Sequence, residues 1–146
     1  MKQTNSHKYT RRNCHFGDIY VVDLKGDESA QHGRRPCVIT SNEVGNKYSP
    51  NVVICPMTTS IKKTGMPTHI VVKADNENGL TNDSMILCEN PVTIPKSRLG
   101  KKLGRLSDTS LSKFASVSPT ALGSIAYLSL DALIQCWYRC KELMIA

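Results

Sequence analysis

Two arginines and two threonines, placed at the ends of neighbouring apolar runs, are the residues of this chain best suited to chemistry. Arg34 and Arg35 precede the first run, and Thr58 and Thr59 follow the second, with a polar turn between the two runs. Proline lies at the edge of both runs, as expected at strand boundaries, because proline cannot donate to a β ladder. If the two strands pair in antiparallel fashion, the arginines lie beside the threonines. A guanidinium next to a hydroxyl is a suitable site for a phosphate group.

Other polar side chains flank these four residues in the sequence and could line the same site. Ser29, Gln31 and His32 lie directly before the arginines, and Lys62 lies in the loop after the threonines. His32 could act as a general base, although a single histidine in a loop is more often simply exposed to solvent. We therefore treat these residues as contacts around the site rather than as its reactive groups.

Short apolar segments that are rich in β-branched residues predict the elements that carry these side chains. The spacing predicts strands over 16–24, 37–39, 51–55, 68–74 and 84–92, a polar turn over 41–46 and one short helical turn within 93–99, with Arg105-Leu106 closing the sheet. Short strands separated by turn signals indicate a small barrel or sandwich. Long helical patterns between strands would indicate a parallel α/β sheet, and this sequence has none there.

The end of the chain is predicted to be helical. Ser107-Asp108 has the composition of a helix start, and Ser118-Pro119 is interpreted as the start of the last section. From Asp131 onward, apolar residues recur at helical spacing, and Trp137 is the largest of them. We expect this apolar face to pack against the rest of the chain. A dimer contact or a partner-binding helix is the alternative.

Length and charge limit the possible classes of protein. With 146 residues and a net charge of +7, the chain is expected to form one domain with a preference for anionic partners, nucleic acid first among them. The divisions we predict are a basic flexible tail over 1–15, a barrel domain over 16–126 and a helical extension over 127–146. The charge also admits a simpler interpretation, a solvated surface that keeps the protein in solution.

The cysteines and the apolar segments bear on the cellular compartment. No segment approaches the roughly 20 apolar residues of a membrane span, and no apolar signal core follows the basic N-terminus. Three of the six cysteines lie inside apolar strand segments, where a free thiol behaves as a small hydrophobic group. There is no CxxC pair, so a zinc site is not indicated. We expect a reduced protein of the cytoplasm without a metal or cofactor.

Several motifs, taken in order, resemble the MazF/PemK toxin family. The segment 17–24, GDIYVVDL, is similar to the GD-x-Y-x-x-DL opening of that family, and Arg35-Pro36 with Val38-Ile39 is similar to its RP-x-x-I strand. The similarity continues through NKYSP at 46–50, Thr58, PTH at 67–69 and DSMILCEN at 83–90, and covers roughly residues 16–125.

The resemblance implies a mainly β fold with C-terminal helices, built on a small SH3-like, CcdB-type barrel. It implies a homodimeric, metal-independent endoribonuclease that cleaves single-stranded RNA, is neutralised by a cognate antitoxin and can contact operator DNA together with it. Arg35 and Thr58 would occupy the catalytic positions of the family. Arg34, Thr59, Lys62, Ser84, Glu89 and Asn90, together with Ser29 and Gln31, are the expected RNA contacts.

Cleavage of RNA without metal is chemically reasonable because the substrate carries its own nucleophile, the 2′-hydroxyl. Arg35 suits stabilisation of the negative charge that develops on phosphate, and its high pKa makes it a poor general base. His69 and Glu89 are the candidates for proton transfer, each with a purely structural role as the alternative. Two other function classes stay open: a non-catalytic nucleic-acid-binding barrel or co-repressor, and a CcdB-type gyrase poison.

Overall fold

Ten regular elements form the part of the chain that the structure, a computed structural model, describes: residues 13–25, 32–62, 64–123 and 129–145. The strands are β1 (Asp18–Leu24), β2 (Gly33–Ile39), β3 (Asn51–Thr58), β4 (His69–Val72), β5 (Ser84–Leu87), β6 (Val92–Pro95) and β7 (Leu99–Arg105). The helices are α1 (Glu43–Tyr48), α2 (Asp108–Ala121) and α3 (Leu130–Ile145), and a 3-10 turn spans Lys96–Arg98.

The strands form one antiparallel sheet in the order β4-β5-β3-β2-β1-β7. Strand β3 is central: one edge pairs with β2, its first half pairs with β6 and its last two residues pair with β5. The mainly β fold with C-terminal helices is therefore confirmed. In the described part of the chain the outer strands β4 and β7 do not pair with each other, so the sheet is not closed.

The two faces of the sheet bury two separate cores, because successive side chains of a strand point to opposite sides. The first core contains Ile19, Val38, Met57 and Ile86, and α2 covers it with the fully buried Phe114. The second core, on the other face, contains Tyr20, Val22, Cys37, Ile39, Ile54 and Leu99. We call these the α2 face and the opposite face of the sheet.

Two predicted segments differ from the observed structure near the central strands. The polar segment 41–46 is not a simple turn, because Asn42 accepts a hydrogen bond from the Gly45 amide at 2.8 Å and caps α1. The buried Asn46 then ties α1 back to Ser41 through two side-chain hydrogen bonds of 2.6 and 2.9 Å. Sequence alone does not reveal a single helical turn of this kind, since polar residues serve equally in turns and caps.

The predicted strand over 84–92 is in fact two strands. β5 ends at Leu87, where the amide of Asn90 turns back to the Leu87 carbonyl at 3.2 Å, and β6 begins at Val92. Pro91 lies in this connection. Because the segment is divided into β5 and β6, one continuous part of the chain pairs with two different parts of β3.

The helical end of the chain matches its prediction in position, with two differences. Ser107 caps α2 as expected, but Pro119 lies inside the last turn of α2 rather than opening a new section. The expected packing of the last helix against the rest of the chain is wrong for its apolar face: Leu130, Leu133, Ile134, Trp137 and Tyr138 are all exposed.

Candidate functional site

Strand register brings Arg35 and Thr58 together. β2 and β3 pair with Cys37 opposite Pro56, and continuing this antiparallel register by two residues places Arg35 opposite Thr58. On its other side Arg35 is paired with Val22 of β1. The sequence-based expectation that the arginine and threonine ends of this hairpin meet is therefore supported by the ladder.

The same ladder decides which face of the sheet each side chain occupies. Met57, Ile86 and Ile70 are paired in one row across β3, β5 and β4, and all three belong to the core under α2. Thr58 and His69 are each one residue away from this row, so they project from the opposite face. Arg35 shares that face with Cys37, two residues further along β2.

Hydrogen bonds hold the two central side chains in place. The Arg35 guanidinium is half-buried and donates from Nη2 to the carbonyl oxygen of His32 at 2.6 Å. Thr58 is also half-buried, and its Oγ1 accepts from the Ser60 amide at 3.2 Å. That bond uses the oxygen as an acceptor, so the hydroxyl proton can still be donated to an anionic oxygen. The contact with Arg35 uses the backbone carbonyl of His32 and does not fix the position of the His32 ring.

A histidine–carboxylate pair lies on the same face. His69 Nε2 is 2.7 Å from Glu89 Oε1, and the side chains are 10% and 34% exposed, respectively. Among the described residues, the buried His69 Nδ1 has no hydrogen-bond partner, and neither has the buried Thr68 hydroxyl. The sequence indicates His69 and Glu89 as separate candidates but does not reveal their pairing, because the pairing depends on the alignment of β4 with β5.

The other residues predicted to contact RNA lie at different places in the structure. Thr59 and Lys62 are exposed just beyond β3, and Asn90 is half-buried in the turn after β5. Arg34 is exposed but alternates with Arg35 and so projects from the α2 face. Ser84 is 2% exposed, faces the α2 core opposite Val72 and donates to the Asn82 carbonyl. Ser29 and Gln31 lie outside the described residues.

The buried thiols near the site are unreactive at physiological pH. Burial raises the pKa of Cys37, Cys55 and Cys88 to about 12, so these groups remain neutral thiols at physiological pH. Because the thiolate is the nucleophile and the metal ligand, none of the three suits covalent catalysis or metal binding. Across the described ranges, no three His, Cys, Asp or Glu side chains are grouped so as to hold a metal ion.

In the described part of the chain, none of the helices is both long and apolar enough to cross a membrane.

Comparison with known proteins identifies the family of this chain. The chain is 40% identical over 108 residues to the endoribonuclease MazF of Staphylococcus saprophyticus, covering 73% of this chain and 89% of the relative. A solved mycobacterial endoribonuclease in complex with its cognate antitoxin is 27% identical and superposes with a TM-score of 0.62 over 75% of this chain and 95% of its own.

Further solved structures have the same fold. The toxin MazF-mt6 of Mycobacterium tuberculosis is 29% identical, with a TM-score of 0.60 over 73% of this chain and 96% of its own. MazF of Deinococcus radiodurans, at 19% identity, shares the fold with a TM-score of 0.63 over 77% of this chain and 98% of its own. The family model for PemK-like, MazF-like toxins of type II toxin-antitoxin systems matches residues 15–117, and the chain belongs to that family.

Proposed function

We propose that this protein is a toxin that acts as an endoribonuclease on single-stranded RNA and needs no metal ion. The observation that carries the proposal is the register of β2 with β3, which, continued two residues beyond the pair Cys37 and Pro56, sets Arg35 opposite Thr58 on the face of the sheet that also holds His69. A cation, a hydroxyl donor and a histidine–carboxylate pair are the groups required to bind a phosphodiester and move protons. Membership of the family supports the assignment.

In the proposed reaction the RNA supplies its own nucleophile. The substrate 2′-hydroxyl gives up its proton as its oxygen attacks the adjacent phosphorus, the bond to the 5′-oxygen of the next nucleotide breaks, and that departing oxygen takes a proton from water. The products carry a 2′,3′-cyclic phosphate and a 5′-hydroxyl. Arg35 stabilises the charge that develops on the non-bridging oxygens, since its guanidinium is permanently cationic. Thr58 donates its hydroxyl proton to one of these oxygens.

Proton transfer requires a group that can reach the substrate, and exposure distinguishes the two candidates. Glu89 is the more exposed member of the pair, whereas His69 Nδ1 is buried and His69 Nε2 is engaged by Glu89. We therefore assign proton acceptance from the 2′-hydroxyl to Glu89. His69 is a positioning residue that orients the carboxylate.

The proposed path of the RNA runs along polar side chains that follow the ends of β3 and β5 in the chain. Thr59, Lys62 and Asn90 are the proposed contacts to the strand beyond the cleavage point, and Ser29 and Gln31 are retained from sequence reasoning. Two of the expected contacts are left out: Ser84 because it is buried against the α2 core, and Arg34 because it projects from the other face.

The partners we propose are those of a toxin-antitoxin system. A solved relative is a complex of an endoribonuclease with its cognate antitoxin. We propose an antitoxin for this chain as well, a homodimeric toxin, and operator DNA as a ligand of the toxin-antitoxin complex. The cytoplasm is the proposed compartment, because Cys14, Cys37, Cys55, Cys88 and Cys136 are free thiols, which a reducing environment maintains.

A cleavage assay in EDTA tests the proposal directly. Purified wild type is incubated with a long single-stranded RNA, and the ends of the products are identified. We expect discrete cuts with cyclic-phosphate and 5′-hydroxyl ends. Arg35→Ala is expected to cut at least about a hundredfold more slowly, comparable to the loss of one transition-state donor.

The neighbouring arginine provides the matched control. Arg34→Ala removes the same charge one residue away, on the other face of β2, and is expected to cut at nearly the wild-type rate. Equal losses in the two variants would show that total charge, not the Arg35 position, supports activity. RNA that is bound but left intact by the wild type would contradict the nuclease assignment and favour a binding module.

A further inference from the structure

Three exposed aromatic side chains lie on α1 and α3, two helices that contact each other. Tyr48 ends α1, and Trp137 and Tyr138 lie in the middle of α3, where Trp137 is 60% exposed. Exposed groups of large rings mark interaction surfaces, because monomeric proteins rarely leave such groups in solvent. We call these three side chains the aromatic surface. Most of it lies on α3, beyond residues 15–117, the segment that the family model matches.

Cations accompany the aromatic surface on both helices. The ammonium of Lys47 lies 5.2 Å from the centroid of the Tyr48 ring, and the ammonium of Lys141 lies 5.3 Å from the centroid of the Trp137 ring. Arg139, which lies between Trp137 and Lys141 in the chain, is exposed. Among the side chains that the structure describes, none of these three cations forms an ion pair. Their charges are therefore available to an anion.

The two rings of α3 form a corner. Trp137 and Tyr138 have ring centroids 5.3 Å apart and an interplanar angle of 73°. A flat ring that stacks on one of them therefore meets the edge of the other, which is a favourable arrangement of aromatic groups. Lys141 follows Trp137 by one helical turn, so its charge lies on the same side of α3. The corner thus offers a stacking face and a cation together, the two groups that bind a base and its phosphate.

This combination fits single-stranded nucleic acid better than it fits a duplex or an apolar protein surface. Unpaired bases stack on aromatic side chains, whereas bases inside a duplex are covered by their neighbours. Phosphates supply the anions for lysine and arginine, and a chain of net charge +7 attracts a polyanion as a whole. An apolar protein partner would need the rings but not the cations. The choice of RNA rests on the proposed function, although binding does not require cleavage.

Tyr48 and Arg35 lie at opposite ends of the central strand pair. Arg35 and Thr58 are at one end, and α1 joins the other ends of the two strands, after Ile39 and before Asn51. Arg35 and Ile39 are four residues apart, which is about 13 Å along β2. A base that stacks on Tyr48 would therefore be several nucleotides away from the bond that is cut.

We propose that the aromatic surface is a second binding site for single-stranded RNA, separate from the site at Arg35 and Thr58. Unpaired bases stack on its rings, and the three neighbouring cations contact the phosphates. The protein thereby holds a longer piece of RNA than cleavage alone requires. Affinity for RNA, rather than the chemical step, is the property that this surface controls.

The only tryptophan of the chain reports on this site. The full chain is titrated with a 2′-O-methyl RNA of about 16 nucleotides, a length that a single-strand site can hold. This oligonucleotide cannot be cleaved, because its 2′-oxygen carries a methyl group in place of the proton. We expect the fluorescence of Trp137 to be quenched to saturation as a base stacks on the indole. The affinity of the same oligonucleotide, labelled at one end, is measured in parallel by anisotropy.

Substitutions of Trp137 distinguish stacking from a general apolar contact. Trp137→Leu keeps an apolar side chain without a ring and is expected to weaken binding at least about fivefold. Trp137→Phe keeps a ring and is expected to stay within about twofold of the wild-type affinity. Leu122→Ala, which removes an exposed apolar side chain at the end of α2, is the control and is expected to bind like the wild type.

The salt dependence of binding tests the cations. Lys47→Ala and Lys141→Ala should each reduce the steepness of log affinity against log salt concentration by about 0.7, the value for one phosphate contact of a single strand. Lys113→Ala removes an exposed lysine of α2 and should leave the slope unchanged. Circular dichroism of each variant checks that the helices are retained, so that loss of α3 is not mistaken for loss of the contact.

Two outcomes would overturn the proposal. One is Trp137 fluorescence that does not change although anisotropy shows the oligonucleotide to be fully bound. The other is wild-type affinity in both Trp137→Leu and Trp137→Phe. Cleavage of ordinary RNA by the wild type separates this inference from the proposed function. Quenching by an RNA that the wild type leaves intact would support the second site and contradict only the nuclease assignment, whereas normal cleavage without quenching would contradict only the second site.

Discussion

At the scale of single residues, the site is distinguished by side chains of the same type that differ in direction. Arg34 and Arg35 are adjacent in sequence, yet alternation along β2 points them to opposite faces of the sheet. Of the two arginines, only Arg35 shares a face with Thr58 and the His69–Glu89 pair. A one-residue shift of the β2 register would exchange the two arginines, so the proposed phosphate site depends on ladder pairing as much as on residue type.

The division of roles between Glu89 and His69 leads to a kinetic prediction. Glu89→Gln retains the shape of the side chain and removes its basicity, so cleavage should fall by about a hundredfold or more. His69→Gln should produce a smaller loss, because His69 only orients the carboxylate.

Glu77→Gln is the matched control for this pair of variants. Glu77 is an exposed carboxylate whose nearest ion-pair contact, with Arg105, is 3.9 Å long. Its loss should leave the cleavage rate unchanged. If Glu89→Gln keeps the wild-type cleavage rate and only lowers the thermal midpoint, then the pair is structural and proton transfer belongs to another group.

At the scale of elements, the packing of β7 against the turn after β4 depends on glycine. Gly79 has φ +66°, and a Cβ there would collide with the backbone carbonyl of Leu103 in β7. Gly104 in β7 is equally close to the backbone of Glu77 and Asn78. The turn and the strand approach each other so closely because neither carries a side chain at the contact.

Two glycine substitutions distinguish the free-energy cost of the steric collision from the cost of backbone strain. Gly123, after α2, has φ +73°, but among the described residues no atom lies within 4 Å of the position that a Cβ would occupy, so Gly123→Ala should cost only about 1–2 kcal/mol for the left-handed conformation. Gly79→Ala adds the collision with Leu103 and should cost clearly more. Urea denaturation of both variants measures the difference. Equal costs would mean that the turn moves away from β7 freely.

At the scale of the whole molecule, thiols buried in the two cores link stability to alkaline pH, and three of the four that the structure describes show the largest effect. Cys37 belongs to the core on the opposite face, and Cys55 and Cys88 to the core under α2. Burial raises the pKa of each from 9.0 to about 12. The folded state therefore holds these protons more tightly than the unfolded chain does. The resulting stabilisation is complete below about pH 9 and is lost as pH rises toward 12.

The pH dependence can be assigned to a single thiol by substitution. Cys37→Ala should lower stability at pH 7 because it leaves a cavity, and should also flatten the decline above pH 9 by up to about 1.4 kcal/mol per pH unit. Cys136→Ser, at an exposed position of α3, should retain the wild-type decline. Urea midpoints at several alkaline pH values measure both. An unchanged slope in Cys37→Ala would show that other groups govern alkaline unfolding.

The sequence by itself was sufficient for the class of fold and for the positions of most strands along the chain, and it predicted that Arg35 and Thr58 lie at neighbouring strand ends. β-branched runs bounded by turn residues are local signals, and they located β1, β2, β3 and β4 to within a few residues. The start of α2 was equally local, since a serine cap followed by an aspartate marks a helix N-terminus. Family motifs then attached a function to the same residues.

Only the tertiary structure decided which side chains meet. The split between β5 and β6, the pairing of His69 with Glu89 across 20 residues and the burial of Ser84 all depend on long-range register, which no local pattern encodes. The sequence left open whether the apolar face of α3 is covered by the rest of the chain, for a related reason. Helical periodicity predicts that one face is apolar, but what covers that face is decided by the rest of the fold and its partners.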